Sequence, residues 1–266
     1  MKTRMMRTLA GGAMLALAVS LSACGSDEEE PTGSASEELE LIESGTLKVC
    51  SELPYKPFEW EEDGDFTGFD IDLVREIGER LDVEVEILPS AFDGLQSGAS
   101  LNSQQCDMAA SAMTITEERQ ANIDFSDGYY DSMQSLLVAA DSDIASIDDL
   151  AGASVGVQNN TTGEAYTREN APEDTDIKGF PGDSDMWNAI QAGQVDALLQ
   201  DLPVNLEHTT DGDYQIVEQY ETDEQYGFAL EKDKSDNLLE AVNGALADMR
   251  EDGTYQEIYD KYFAVD

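Results

Sequence analysis

The stretch GFDIDLVREIGERLDVEVEIL, Gly68 to Leu88, changes period in its middle, and that change decides the fold. Phe69, Leu73, Val74, Ile77 and Leu81 recur at helical spacing with charges opposite, which predicts an amphipathic helix. From Val83 to Leu88 apolar and acidic residues alternate, as a half-buried strand requires. A helix running into a strand is part of a repeating α/β unit, and the same alternation continues in both directions.

Upstream, TLKVC (Thr46 to Cys50) reads as a short buried strand and DGDFTG (Asp63 to Gly68) as a turn. Downstream, CDMAAS reads as a strand, TITEERQA as a short helix and SLLVAA (Ser135 to Ala140) as a strand. The pattern then restarts. ASVGV, IKGF, VDALLQD and YQIVEQ read as strands, with helices over TTGEAYTREN, DSDMWNAIQAG and Leu202 to His208 between them. A strand at Tyr226 to Leu230 and two helices, broken at Gly253, close the chain. Strands alternating with helices imply mostly parallel sheets flanked by helices. Two such runs, with a tail able to return to the first, predict two α/β lobes joined by more than one crossing. Lobe 1 would be residues 45–130 and 226–266, and lobe 2 residues 131–225.

The first 23 residues do not fit that body. Lys2, Arg4 and Arg7 precede the apolar, small-residue run LAGGAMLALAVSLSA, the pattern of a secretory signal peptide. It ends in LSAC, which is similar to a bacterial lipoprotein processing site. That resemblance implies a lipid on Cys24 and an exported protein held on the outer face of the cell membrane. Residues 24–44 then read as an acidic tether, too polar to order itself. The chain has 58 acidic and 14 basic residues, a formal charge of −44. Nucleic acid and anionic membrane surfaces are therefore poor partners, and the charge reads as a hydrated surface. Cys50 and Cys106 remain, in a compartment where disulfides persist. Their offset along neighbouring strands leaves pairing open.

In open α/β sheets, ligands bind beyond the carboxyl ends of the strands. Glu52, Pro54, Tyr55 and Phe58 follow the first strand, and Ser111, Thr114 and Arg119 follow CDMAA. Gln158, Thr161 and Thr162 follow ASVGV, and Asp201 follows VDALLQ. Facing one another, these four clusters would line one cleft suited to a zwitterion. Arg119 offers a planar fork for a carboxylate, and Asp201 would meet an ammonium group. TTGE has capping-box spacing, so Thr161 opens a helix whose free N–H groups suit an anion. Each residue also has a plainer role. Arg119 can pair with Glu117, Glu118 or Asp124, Asp201 and Thr161 can cap helices, and Tyr55 and Phe92 can be core.

These residues carry a resemblance. PFEW, GFDIDLVREIGERL, AMTITEERQANIDFSDGYY, VGVQNNTTGEAY, YGFALEKD and VNGALADMREDGTYQEIYDKYF resemble the family 3 extracellular solute-binding proteins, the polar amino-acid receptors of ABC importers, from about Gly45 to Phe263. The resemblance implies the type II periplasmic-binding-protein fold, two lobes joined by two hinge crossings, which closes on its ligand by hinge motion and then docks on a membrane permease. It also implies a monomer with no cofactor. Arg119 would grip the α-carboxylate, assisted by Ser111, Thr114 and the backbone at Ala112, with Thr161 and Thr162 from the other lobe. Asp201 would take the α-ammonium, while Glu52, Tyr55 and Phe92 would recognise the side chain, Phe92 facing Tyr55. Gln158 and Gln200 fall where the family varies with ligand. The stretch from Phe92 to Asp107 is about two residues longer than usual.

With Glu52 and Asp201 against one firm cation, a basic amino acid is favoured, then glutamine. The rivals are an enzyme on the same fold, such as a prephenate dehydratase with Glu52 as acid or base, and a ligand-sensing lipoprotein. The sole histidine, His208, reads as exposed and without function. DGDFTG imitates the start of a calcium loop, but Val74 stands where a bidentate Glu belongs, so no metal is expected.

Overall fold

A computed structural model describes residues 39–264. The signal peptide, most of the tether and the lipidation expected at Cys24 lie outside the described residues. Leu39 and Leu41 already pack against the core, and the Ile42 N–H donates to Asp107 Oδ1 at 2.7 Å.

The first run opens with β1 (Thr46–Ser51), fully buried in its last three residues. The turn read at Asp63 to Gly68 proves to be part of a hairpin. β2 (Trp60–Glu62) and β3 (Asp65–Thr67) pair antiparallel, with Asp63 and Gly64 at φ 53° and 90° between them. Gly68 follows at φ 130°, where an added Cβ would lie 2.0 Å from the Phe58 carbonyl oxygen. Only glycine allows that approach. Then come α1 (Phe69–Arg80) and β4 (Glu84–Pro89), with Phe69, Leu73, Val74 and Ile77 of the expected stripe buried. Two short helices, α2 (Phe92–Gln96) and α3 (Ala99–Asn102), lead to β5 (Met108–Ala109), α4 (Glu117–Gln120) and β6 (Ile123–Phe125).

The second run starts with β7 (Tyr130–Ala139) and one 3-10 turn at Ile147–Leu150. It continues through β8 (Ser154–Gln158), α5 (Thr162–Asn170), β9 (Asp176–Phe180), α6 (Asp183–Gln191), β10 (Ala197–Asp201) and α7 (Leu202–Glu207). β11 (Tyr214–Tyr226), β12 (Ala229–Glu231), α8 (Asp236–Asp252) and α9 (Thr254–Phe263) bring the chain back. Leu238, Val242, Leu246 and Met249 of α8 join the core built on Leu47, Val49 and Phe69. Phe263 of α9 packs edge-on to Phe69 at 5.0 Å.

Two five-stranded sheets result, ordered β4-β1-β5-β12-β6 and β11-β7-β10-β8-β9. Each is parallel but for one strand. β12 runs against β5 and β6, and β7 runs against β10 and β11. The fold is a two-lobed α/β fold. Its crossing strands are longer than the sequence suggests. β7 and β11 pair with each other from Tyr226 opposite Tyr130 to Tyr214 opposite Ala139, with a register slip between Tyr220 and Glu224. Tyr226, expected in the last strand, ends β11 instead.

Cys50 and Cys106 form a disulfide, with Cα atoms 5.7 Å apart. His208 is not exposed as expected. Its ring stacks on Trp187 at 4.1 Å and lies 2.8 Å from Asp183 Oδ1. The short helix α7 carries it back onto α6, which the polar run LEHTTDGD does not disclose.

Candidate functional site

The ends of β1 and β5 meet the ends of β8 and β10 around a narrow cavity. Its lining is Glu52, Tyr55, Phe92, Ser111, Ala112, Thr114, Arg119, Gln158, Thr161, Thr162 and Asp201. The eleven residues expected to bind ligand therefore come together, while Pro54 and Phe58, which also follow β1, do not line the cavity. Gln200 does not line it. Its amide is spent on Asp183 Oδ1 and Asn205 Oδ1, at 2.8 and 3.1 Å.

β1 delivers Glu52, whose N–H donates to Ser111 Oγ at 3.1 Å. Its carboxylate accepts Gln158 Nε2–H at 2.6 Å across the cleft. Burial, with Asp183 nearby, pushes Glu52 up to about 7. Tyr55 stacks on Phe58 and donates its hydroxyl to Asp201 Oδ2 at 2.7 Å.

Beyond β5 the chain turns sharply at Ala112, φ 43°. Asp70 of α1 holds that turn by accepting the Ala112 N–H at 2.9 Å and the Tyr129 hydroxyl at 2.7 Å. Ser111 donates to Glu59 Oε1 at 2.9 Å. Glu59 and Asp70 are both fully buried. Burial raises both, Asp70 to about 7, and the charge of Asp70 adds to the rise of Glu59.

Arg119 sits on α4, which Thr116 caps by accepting the Arg119 N–H at 3.2 Å. Arg119 is 6% exposed. It pairs with none of the acids close to it in sequence. Nη1 donates to the Thr114 carbonyl at 2.8 Å and Nη2 to the Asn160 carbonyl at 3.1 Å, and Phe92 lies below it at 5.2 Å. Phe92 thus meets Arg119, while the ring partner of Tyr55 is Phe58. Burial lowers the pKa of Arg119, and the charges of Asp201 and Glu224 oppose that.

From the second lobe, Thr161 caps α5 as expected, accepting the Glu164 N–H at 3.1 Å. The Glu164 carboxylate reaches back one residue further than in a capping box, to the Asn160 N–H at 2.6 Å. Asp201 precedes α7 but makes no side-chain cap. It accepts from Tyr55, from Tyr226 at 2.5 Å and from Gln134 Nε2 at 2.5 Å. Burial, then the charge of Glu224, pushes Asp201 up to about 6.

Four residues bordering the site escaped the sequence reading. Gln134 of β7, Glu224 and Tyr226 of β11, and Glu59 are buried against it. Three of them lie on the crossing strands, where only their pairing brings them to the cleft.

Two lobes joined by paired crossing strands, with a polar cavity where their strand ends meet, define a two-lobed solute-binding protein. The chain belongs to the bacterial extracellular solute-binding proteins, family 3, which it matches over residues 47–265. It is 34% identical over 229 residues to the L-cystine-binding protein TcyJ of Escherichia coli (strain K12), covering 84% of this chain and 85% of that one. It is 33% identical over 232 residues to the histidine-binding periplasmic protein of the same organism, covering 83% and 88%. Among solved structures it is similar to an ancestral arginine-binding protein bound to arginine, with a TM-score of 0.78, 38% identity, and 83% and 99% of the two chains covered.

Proposed function

We propose that this protein captures a polar L-amino acid, with a cationic side chain favoured and glutamine next, and delivers it to an ABC permease. The observation that carries the reading is a charge imbalance. Arg119 is the one basic side chain among the buried described residues. Glu52 and Asp201 line the same cavity, and Glu59, Asp70 and Glu224 stand one hydrogen bond behind its Ser111, Ala112 and Thr162. A zwitterion with a neutral side chain adds no net charge to that set, whereas arginine or lysine adds one positive charge. A glutamate side chain would meet only more carboxylates.

Arg119, with the α5 N-terminus at Thr161, holds the α-carboxylate. Asp201 holds the α-ammonium, and Glu52 with Gln158 receives the far end of the side chain. Lobe 1 comprises residues 45–130 and 226–266, and lobe 2 residues 131–225. Because partners for the two charged ends come from both lobes, ligand favours the closed arrangement. A few charge-assisted bonds, each contributing about 1.5–3 kcal/mol, support micromolar or tighter binding. The protein acts as a monomer tethered through lipid on Cys24, which mass spectrometry of the mature N-terminal peptide tests.

A thermal-shift screen against the twenty amino acids tests the ligand, since a bound ligand raises apparent stability. Arginine or lysine is expected to give the largest shift. A selective response to glutamate would overturn the preference. A second reading rests on Glu52 and Asp201, which titrate at about 7 and 6, as a general acid does. Turnover of prephenate in a product assay would make the protein an enzyme instead.

A further inference from the structure

Glu224 stands where β11 slips register against β7, and it is 9% exposed. One of its oxygens, Oε2, accepts the Thr114 hydroxyl and the Thr162 hydroxyl, both at 2.9 Å. Gln134 Nε2 adds a longer contact of 3.3 Å to each carboxylate oxygen, and the same amide serves Asp201. Thr114 and Thr162 line the cavity from opposite lobes, their hydroxyl oxygens 3.4 Å apart.

A threonine hydroxyl has one proton to give and two lone pairs to offer. An ionised carboxylate only accepts. With both protons committed to Glu224, neither threonine can donate into the cavity. What Thr114 presents there is lone pairs, and Thr162 presents the one that Gln134 Nε2, 3.4 Å away, leaves it; these suit an ammonium group and disfavour a carboxylate. The expectation that both threonines assist Arg119 on the α-carboxylate does not fit this polarity.

We propose that Glu224 is a positioning and specificity residue for the amine end of the ligand. It turns one threonine of each lobe into a hydrogen-bond acceptor, so that with Asp201 they form a subsite for an α-ammonium. Arg119 and the α5 N-terminus are left to the carboxylate. The proposal rests on the amino-acid reading above and deepens it.

The test is Glu224→Gln, read by titration calorimetry with three probes. L-Arginine carries both ends, agmatine lacks the carboxylate, and 5-guanidinopentanoate lacks the amine. A glutamine amide can donate as well as accept, so a threonine is free to reverse its hydroxyl. Affinity for L-arginine and agmatine is expected to fall at least about tenfold, the scale of a charge-assisted bond, while 5-guanidinopentanoate changes by less than about twofold. Equal loss for all three, loss confined to 5-guanidinopentanoate, or no loss would overturn the proposal. Should Glu224→Gln fail to fold, Thr162→Val is expected to give the same selective loss, and unchanged L-arginine affinity there would equally overturn it. If the unsubstituted protein binds L-glutamine but not L-arginine, the cationic preference fails on its own. L-Glutamine against 5-amino-5-oxopentanoate then decides the role of Glu224.

Discussion

Arg119 is gripped from behind by neutral groups. Two backbone carbonyls take N–H bonds and an aromatic face lies beneath, so its geometry is fixed while its charge is not cancelled by direct ion pairing. Such a fork is oriented before any anion arrives, which reduces the ordering cost of binding. Arg119→Ala is expected to weaken amino-acid binding at least about tenfold by calorimetry, and unchanged affinity would remove the guanidinium from the site. Most of the cavity residues were legible because they sit at the ends of buried strands, and strand ends converge in folds of this class, whereas Phe92 came only with the family resemblance. Glu224 was not. In a chain with 58 acidic residues, one more carboxylate has no contrast until the crossing strands are paired.

At the level of elements, α1 and β4 stood out because each buries one face more than the other, and β1 because it is a short apolar run. The ends of β7 and β11 nearest the cleft bury polar side chains, among them Ser132, Gln134 and Glu224, so no apolar alternation marks them. The disulfide was illegible for a related reason. Cys106 precedes β5, so counting residues along a ladder does not measure its distance from Cys50. The bridge spans a sequence separation of 56 and encloses β2, β3, α1, β4, α2 and α3. Replacing both cysteines by serine is expected to lower unfolding free energy by about 2–4 kcal/mol in a denaturant titration. An unshifted midpoint would show that the closed loop contributes nothing.

For the whole molecule, burying acids without cations ties stability and binding to pH with opposite signs. Glu52 and Asp70, at about 7, and Asp201, at about 6, all lie above the ordinary carboxylate range. Between that range and about pH 7 the folded state therefore holds more protons than the unfolded chain, and ligand-free stability rises as pH falls. Asp252, held near 2, stays ionised throughout this window and does not alter the slope. Unfolding free energy without ligand is expected to be at least about 1 kcal/mol higher at pH 5.5 than at 7.5, roughly the worth of a single pKa unit. Affinity for a cationic amino acid is expected to fall over the same interval, as Glu52 and Asp201 take up protons. Parallel trends in melting and calorimetry would contradict this assignment of charges. The sheet order has a consequence for biosynthesis. β12 fills the space between β5 and β6, yet it is translated after the entire second sheet. A nascent chain can finish one lobe while the other waits, its edge strand β6 unjoined, for residues 229–231 to leave the ribosome.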